Sequence, residues 1–396
     1  MSDETVSNTN KALREFMAER SWIKCLCDTC GRTFYVKSSS SNKTNCGWRN
    51  CNAESHPFIN SLKRRRMMNS RQVCNVICEH FESLGFKSIP ARNLANSGGK
   101  TDLVIAGVQI FDDATNYCNH QIREGKIFIA QPCVRMQFQG VVEFQEGIST
   151  SFINICTEMV NKDFKEHLQT VDQWYSVFSK LGLHMNDFVI IEKEDIKNWG
   201  TGDFSTKQLF FVYKGLELGD ASYFLFPRKD ETLIPTSDIG FGLERIVWSI
   251  NKTDSYFDII TPWTVNTGKE MLDSCRTLSL LALCGIKASN NGPGLQFRRF
   301  SRVLSEKYYN QEIYYLLLHY FDYWSQFIKP IVSREDAVRS ACLEIDRFIN
   351  LKVSKALGVP FPCMETTEDY FNRLVYNHDN INIRDLRETI KKCQKK

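Results

Sequence analysis

The segment Pro235-Thr236-Ser237-Asp238-Ile239-Gly240-Phe241-Gly242-Leu243-Glu244-Arg245-Ile246-Val247-Trp248 constrains this chain more than any other. It reads as a strand that runs into a helix, carrying an acid, two glycines two apart and then an arginine. Glycines leave bare backbone against which a ligand can lie flat. Arg245 projects from the first helical turn, where a guanidinium can meet phosphates. Asp238 can hold an ammonium group. The plain alternative is a Gly-rich strand-to-helix turn with no ligand.

Length and composition set the frame. The 396 residues suffice for two or three domains with real cores. An apolar content of 42% and a charged content of 24% are ordinary for a soluble globular protein. A net charge of +4 permits nucleic-acid binding through a local patch but does not argue for it. No run of 18 or more apolar residues suggests a membrane span. The polar start MSDETVSNTNKALREF is no secretory signal. The 15 cysteines are therefore expected as reduced thiols of a cytoplasmic protein.

Residues 1–20 read as a frayed or helical tail. The periodicity predicts a helix over roughly 68–84, with Val73, Ile77, Phe81 and Leu84 on one face, and another over about 165–182, with Leu168, Val171, Trp174 and Phe178. Short strands are expected at Leu103–Ala106, Ile127–Ala130, Val141–Phe144, Phe188–Ile191, Gln208–Val212 and Ala221–Phe226. Strands predominate to about 240 and helices follow, which suits an α+β chain: an antiparallel sheet domain, then a helical one.

Two short thiolate pairs, Cys27-x-x-Cys30 and Cys46-x4-Cys51, lie 15 residues apart. Gly31 and Gly47 permit tight knuckles, so four sulfurs can meet on a structural Zn2+ with no open position. Cys25 and His56 are spare candidates, and scattered free thiols are the bland alternative.

Several stretches together resemble the archaeal-type alanyl-tRNA synthetases of the class II family. SDIGFGLERIVW resembles their motif 3. Gln131-Pro132-Cys133-Val134-Arg135 resembles the opening of motif 2, and Gly215-Leu216-Glu217-Leu218 the stretch before the amino-acid pocket. Ala288-Ser289-Asn290-Asn291-Gly292 resembles the start of the helical tRNA-recognition domain, and the cysteine pairs follow the archaeal pattern. These segments stand in the family's order. The resemblance implies a class II core, a six-stranded antiparallel sheet flanked by helices. It places a zinc-ribbon-like module at 1–60, a catalytic domain at 61–262 and a helical acceptor-stem domain at 263–396. The family's editing and C-terminal domains have no counterpart in this sequence.

By the same resemblance Arg135 meets the α-phosphate of ATP held with Mg2+, and Arg245 and Gly242 pack against ATP. Asp238, Gly240, Asp220 and Trp199 belong to the amino-acid pocket. Asn290 would reach the G3:U70 pair of a tRNA, Arg298, Arg299 and Arg302 its phosphates, and Asp385 falls near the second reader. The departures bear on activity. Gly147 and Ile148 stand where the family has Arg-His, Ile153 replaces a glutamate and Phe144 an arginine. Asp220 falls where a threonine is usual, Tyr223 adds bulk, and Ile239 replaces another threonine. A second acid suits a more basic or more polar substrate, unless a one-residue slip turns it to solvent. The implied function is ATP-dependent activation of an amino acid, alanine by default, and transfer to a tRNA 3′ end. Two alternatives stay open: a ligase loading a carrier protein or small amine, and an inactive tRNA-binding or regulatory paralogue. Oligomeric state is not legible.

Overall fold

Among the described residues nine strands join into one sheet in the order β1-β2-β6-β7-β8-β9-β5-β4-β3. They are β1 (Trp22–Leu26), β2 (Thr33–Lys37), β3 (Lys87–Ser88), β4 (Lys126–Val134), β5 (Ser151–Val160), β6 (Phe188–Trp199), β7 (Gly202–Tyr213), β8 (Leu216–Pro227) and β9 (Leu233–Gly242). Every pairing is antiparallel except β3 with β4. The computed structural model describes residues 3–40, 42–48, 51, 67–95, 101–112, 125–199, 202–227, 233–261, 268–307, 312–359, 361, 366–377, 384, 386 and 388–389. The antiparallel core flanked by helices is as expected, but the described sheet is wider than six strands. β1 and β2 extend it through Phe34–Ile191 and Tyr35–Ile190.

Side chains alternate across the pleat, and the two faces differ. One face carries Thr157, Ile239, Phe241, Leu209 and Phe211 under helix α3 (Phe164–Lys180). Trp174 of α3 donates to Thr157 Oγ1 at 2.9 Å and packs at a tilt on Phe241, 4.6 Å between ring centroids. The predicted stripe Leu168, Val171, Trp174 and Phe178 is wholly buried there. Asp163 caps α3, accepting from the Glu166 N–H at 3.0 Å. Helix α2 (Ser70–Ser83) starts with an Asn69–Gln72 capping box and buries Val73, Ile77 and Phe81. Leu84, expected on that stripe, is instead its exposed C-cap. The first helix, α1 (Asp3–Glu19), is more than a tail, since Leu13, Phe16 and Met17 join the main core.

Two expected strands are not strands. Val141–Phe144 lies in consecutive turns between Gly140 and Gly147, both at positive φ, and Phe144 is 88% exposed. Leu103–Ala106 makes one bridge, Ala95 to Leu103, then crosses the sheet edge with Val104 bonded to Leu94 and Val134. Both are short apolar runs, which periodicity alone cannot assign.

β9 passes directly into α4 (Leu243–Asn251). The chain is then helical: α5 (Lys269–Leu283), α6 (Gly292–Lys307), α7 (Glu312–Trp324), α8 (Arg334–Leu357) and α9 (Thr367–Asn377). α5 is buried from Met271 to Leu283, a central helix enclosed by its neighbours. Among the described residues no helix is long and apolar enough to cross a membrane.

Candidate functional site

The second face of the central strands carries the polar residues. Register sets them in rows. Gln208, Ser222, Asp238 and Glu158 are successive cross-strand partners on β7, β8, β9 and β5. The next row holds Asp220, Gly240 and Cys156, and the one after that Gly242 and Asn154. Cross-strand partners point to one face, so Asp220 lies on the face of Asp238, one row along. It is half-buried and accepts from Ser222 Oγ at 2.7 Å and Gln208 Nε2 at 3.1 Å. The same alternation corrects Tyr223, which lies on the opposite face against Phe164 and His167 and adds no bulk beside Asp238.

The arginines sit at the other end of this face. Arg135 follows β4; its Nε donates to Ile105 O at 3.0 Å and its guanidinium lies 4.8 Å over the Phe152 ring. Arg245, in the first turn of α4, donates to Gly147 O at 2.8 Å and Glu217 O at 2.7 Å. Among the described residues neither guanidinium pairs with a carboxylate. Each is anchored by backbone carbonyls, which fix position without cancelling charge. Burial presses the Arg135 guanidinium down from its usual value and Arg245 adds to this, but an arginine stays charged.

Gly240 and Gly242 serve packing as well. A Cβ on Gly240 would stand 2.9 Å from Asn154 Nδ2, and one on Gly242 3.4 Å from the Arg245 chain. Asn154 uses this space to accept from the Gly107 N–H at 2.7 Å. Trp199 pairs with Gly202 at the tip of the β6–β7 hairpin. It stands six residues along β6 from Lys193, the residue level with Asp238, or about 20 Å at strand rise. The structure does not bring it to the other pocket residues.

Two positions where the resemblance implies charges lie in the core. Ile148 and Ile153 are buried, and the Ile153 N–H donates to both oxygens of Glu244, at 3.1 and 3.0 Å. Glu244, beside Arg245, is inaccessible and paired with the equally inaccessible Arg276 of α5. Tyr323 donates to Glu244 at 3.0 Å, and Arg276 also reaches Ser149 and Ser151 O. Asp273 takes the Thr150 N–H at 2.7 Å. The helical unit thus clamps the start of β5 and the first turn of α4. Nothing in the sequence pattern marks Arg276. Glu158, equally unread, is flagged only as one acid in the otherwise uncharged strand SFINICTEMV.

The four cysteine sulfurs lie within 4.8 Å of one another, beside β1 and β2. Cys30 and Cys46 sulfurs are 3.8 Å apart. A tetrahedron with Zn–S near 2.3 Å has edges of about 3.8 Å, so the group fits a metal ion. Gly31 and Gly47 take positive φ, +69° and +65°, at the two knuckles. Burial alone would raise the Cys27 thiol, but backbone N–H groups of Cys46, Cys30 and Thr29 bring it down to about 6. Such donors stabilise thiolate, the metal-binding form. Cys25 lies outside the group, and His56 lies outside the described residues. The adjoining Trp48 donates to the Glu217 carboxylate, and Glu217 O in turn holds Arg245.

In the helical unit, Arg298 donates to Asn290 and pairs with Glu344 at 3.2 Å, while Arg347 takes the same carboxylate. Arg298 is therefore partly neutralised. Arg299 and Arg302 are exposed, the latter 3.9 Å from Glu306. Asp385 lies outside the described residues.

No protein-family model matches the chain. It is 22% identical over 287 residues to the alanine–tRNA ligase of Halorubrum lacusprofundi, covering 65% of this chain and 30% of that protein. The alanine–tRNA ligase of Methanosarcina acetivorans is 23% identical over 272 residues, covering 64% and 28%. The chain thus spans less than a third of the length of these relatives. Among solved structures, an asparaginyl-tRNA synthetase of Entamoeba histolytica in complex with asparaginyl-adenylate aligns with a TM-score of 0.35 and 12% identity, covering 48% of this chain and 65% of that one. The likeness is too slight to define the fold. On its sequence matches, about two thirds of this chain is similar to the archaeal alanine–tRNA ligases, which makes it alanyl-tRNA synthetase-like over that stretch.

Proposed function

We propose that this protein activates an amino acid with ATP and transfers it to the 3′ end of a tRNA. The observation that carries this reading is the polarity of one sheet face: two arginines unpaired with carboxylates among the described residues at one end, and a row containing Asp238 at the other. The substrate carboxylate attacks the α-phosphorus, pyrophosphate leaves, and a ribose hydroxyl of the acceptor then displaces AMP from the adenylate. Arg135 and Arg245, with Mg2+, bind and neutralise phosphate, and Gly242 lets the Arg245 chain fold back. Asp238 takes the α-ammonium at the strand position opposite Glu158. Positioning and charge neutralisation suffice, with no covalent enzyme intermediate. Alanine, the substrate in the relatives' name, is the first amino acid to test. Asn290, Arg299 and Arg302 face the acceptor stem in this reading, with Arg298 orienting Asn290. The cysteines hold Zn2+, which would stabilise the module that anchors Glu217. The chain falls into the three units 1–60, 61–262 and 263–396, the first sharing its sheet with the second.

Amino-acid-dependent ATP–pyrophosphate exchange tests the first half. Exchange with one amino acid is expected, falling about 10²–10³-fold in Arg245→Ala. Filter binding of tRNAs with and without a G3:U70 pair tests the second; equal affinity would remove the reader role of Asn290. The burial of Ile148 and Ile153, where the family resemblance puts charges, favours a second reading, a tRNA-binding protein without adenylation. Absent exchange with tRNA binding retained would select it.

A further inference from the structure

One side chain joins the cysteine group to the polar sheet face. Trp48 follows the knuckle at Cys46 and Gly47 and is buried. Its backbone N–H donates to the Cys46 sulfur, and the Cys46 N–H donates to the Cys27 sulfur at 3.4 Å. The thiolate group therefore fixes the backbone from which the indole projects. The indole packs at a tilt on Phe210, 4.7 Å between ring centroids, and the Arg32 guanidinium lies 4.8 Å from it. Phe210 is the cross-strand partner of Asp220, so Trp48 stands on the face that carries the acids.

Trp48 Nε1 donates to the Glu217 carboxylate, and the carbonyl of the same Glu217 accepts from Arg245 Nη1 at 2.7 Å. The ladder is irregular here. Gly219 pairs with Phe211 and Glu217 with Val212, so Leu218 is left over as a bulge. A bulge interrupts pairing and re-aims the groups beside it. Glu217 gains a hold from outside the ladder, through its side chain, from Trp48. Arg245 Nε meanwhile donates to Gly147 O at 2.8 Å. Two carbonyls thus set the plane of the guanidinium, and its remaining N–H groups stay available to phosphate. A planar fork recognises phosphate by geometry as well as charge, so a tilt of Glu217 misaims it. We propose that Trp48 is a positioning residue for Arg245, carrying the order of the metal-filled cysteine group through Glu217 to the phosphate end of the site and so raising its affinity for ATP. The inference rests on the ATP-dependent reading above and adds a residue to it.

The test is calorimetric titration of the full chain, loaded with Zn2+, with Mg2+ and ATP. Trp48→Phe keeps a ring against Phe210 and removes the donor. ATP should bind it about tenfold more weakly, with binding stoichiometry, metal content and thermal midpoint close to those of the unaltered chain. In the Arg245→Lys background, where no fork is left to aim, Trp48→Phe should weaken ATP binding no further. A merely structural role would give the same loss in both backgrounds. Stripping Zn2+ and restoring it should lower and restore ATP affinity in the unaltered chain and move it little in Trp48→Phe. Unchanged ATP binding in Trp48→Phe overturns the inference, as does an equal loss in both backgrounds. So does a Zn2+ effect that is absent from the unaltered chain or as large in the variant. If Trp48→Phe folds poorly, Glu217→Met removes the acceptor instead and carries the same expectations. Trp48-dependent ATP binding without pyrophosphate exchange keeps the inference and removes adenylation. Exchange and ATP binding that are indifferent to Trp48 do the reverse, and an unaltered chain that binds no ATP overturns both.

Discussion

The cysteine group and the polar sheet face are assembled in opposite ways. The four sulfurs come from residues 27–51, and two glycine knuckles are enough to gather them. The polar face draws Glu158, Asp220 and Asp238 from three strands, Arg135 from the residue after a fourth and Arg245 from a helix, and only strand register brings them together. A locally built site is preserved when its short segment is preserved. A register-built site depends on each side chain separately, and Ile148 and Ile153, where the resemblance implies charges, are buried apolar residues.

The largest effect should come from breaking the local site. Cys27→Ser leaves three sulfurs and is expected to lose metal and several kcal/mol of stability, because metal binding in such modules is folding energy. Metal analysis and a thermal melt with and without chelator would show it; unchanged metal content would mean that the group is not a metal site. The matching test on the assembled side is Arg276→Ala. It strands Glu244 in the core and should cost about 3–5 kcal/mol by urea unfolding. The double variant Arg276→Met with Glu244→Gln should be markedly milder. Equal costs would show that packing, not the lone charge, dominates.

A smaller effect sharpens the contrast from beneath the same strands. His167 bonds Ser237 Oγ at 2.7 Å, and burial lowers its pKa to about 3. The folded state keeps this ring neutral while the unfolded chain protonates it below about pH 6.5. Its contribution is therefore present above pH 6.5 and is lost as pH falls toward 3, by about 1.4 kcal/mol at pH 5.5. His167→Gln should flatten the stability profile between pH 6.5 and 5; an unaltered slope would assign the acid sensitivity elsewhere.

Much of this was legible from residue order. Helical stripes such as Leu168–Phe178, the metal-spaced cysteines and the strand-to-helix passage at Gly242 are short-range patterns, and physics within a few residues decides them. The short apolar runs at 103–106 and 141–144 misled, because their fate depends on whether a neighbouring strand is available. Asp220 could be read either way until the register set its face, and Tyr223 was assigned to the wrong one.

The sequence by itself determined the main helical stripes, where four cysteine sulfurs gather, and the likeness to archaeal alanine–tRNA ligases. Tertiary structure alone decided that Glu158 stands beside Asp238, 80 positions later, and that Arg276 locks Glu244 beneath Arg245. A one-residue slip in pairing moves a side chain to the opposite face of a sheet. Which charges meet is therefore settled only when distant strands have found their register and closed around them.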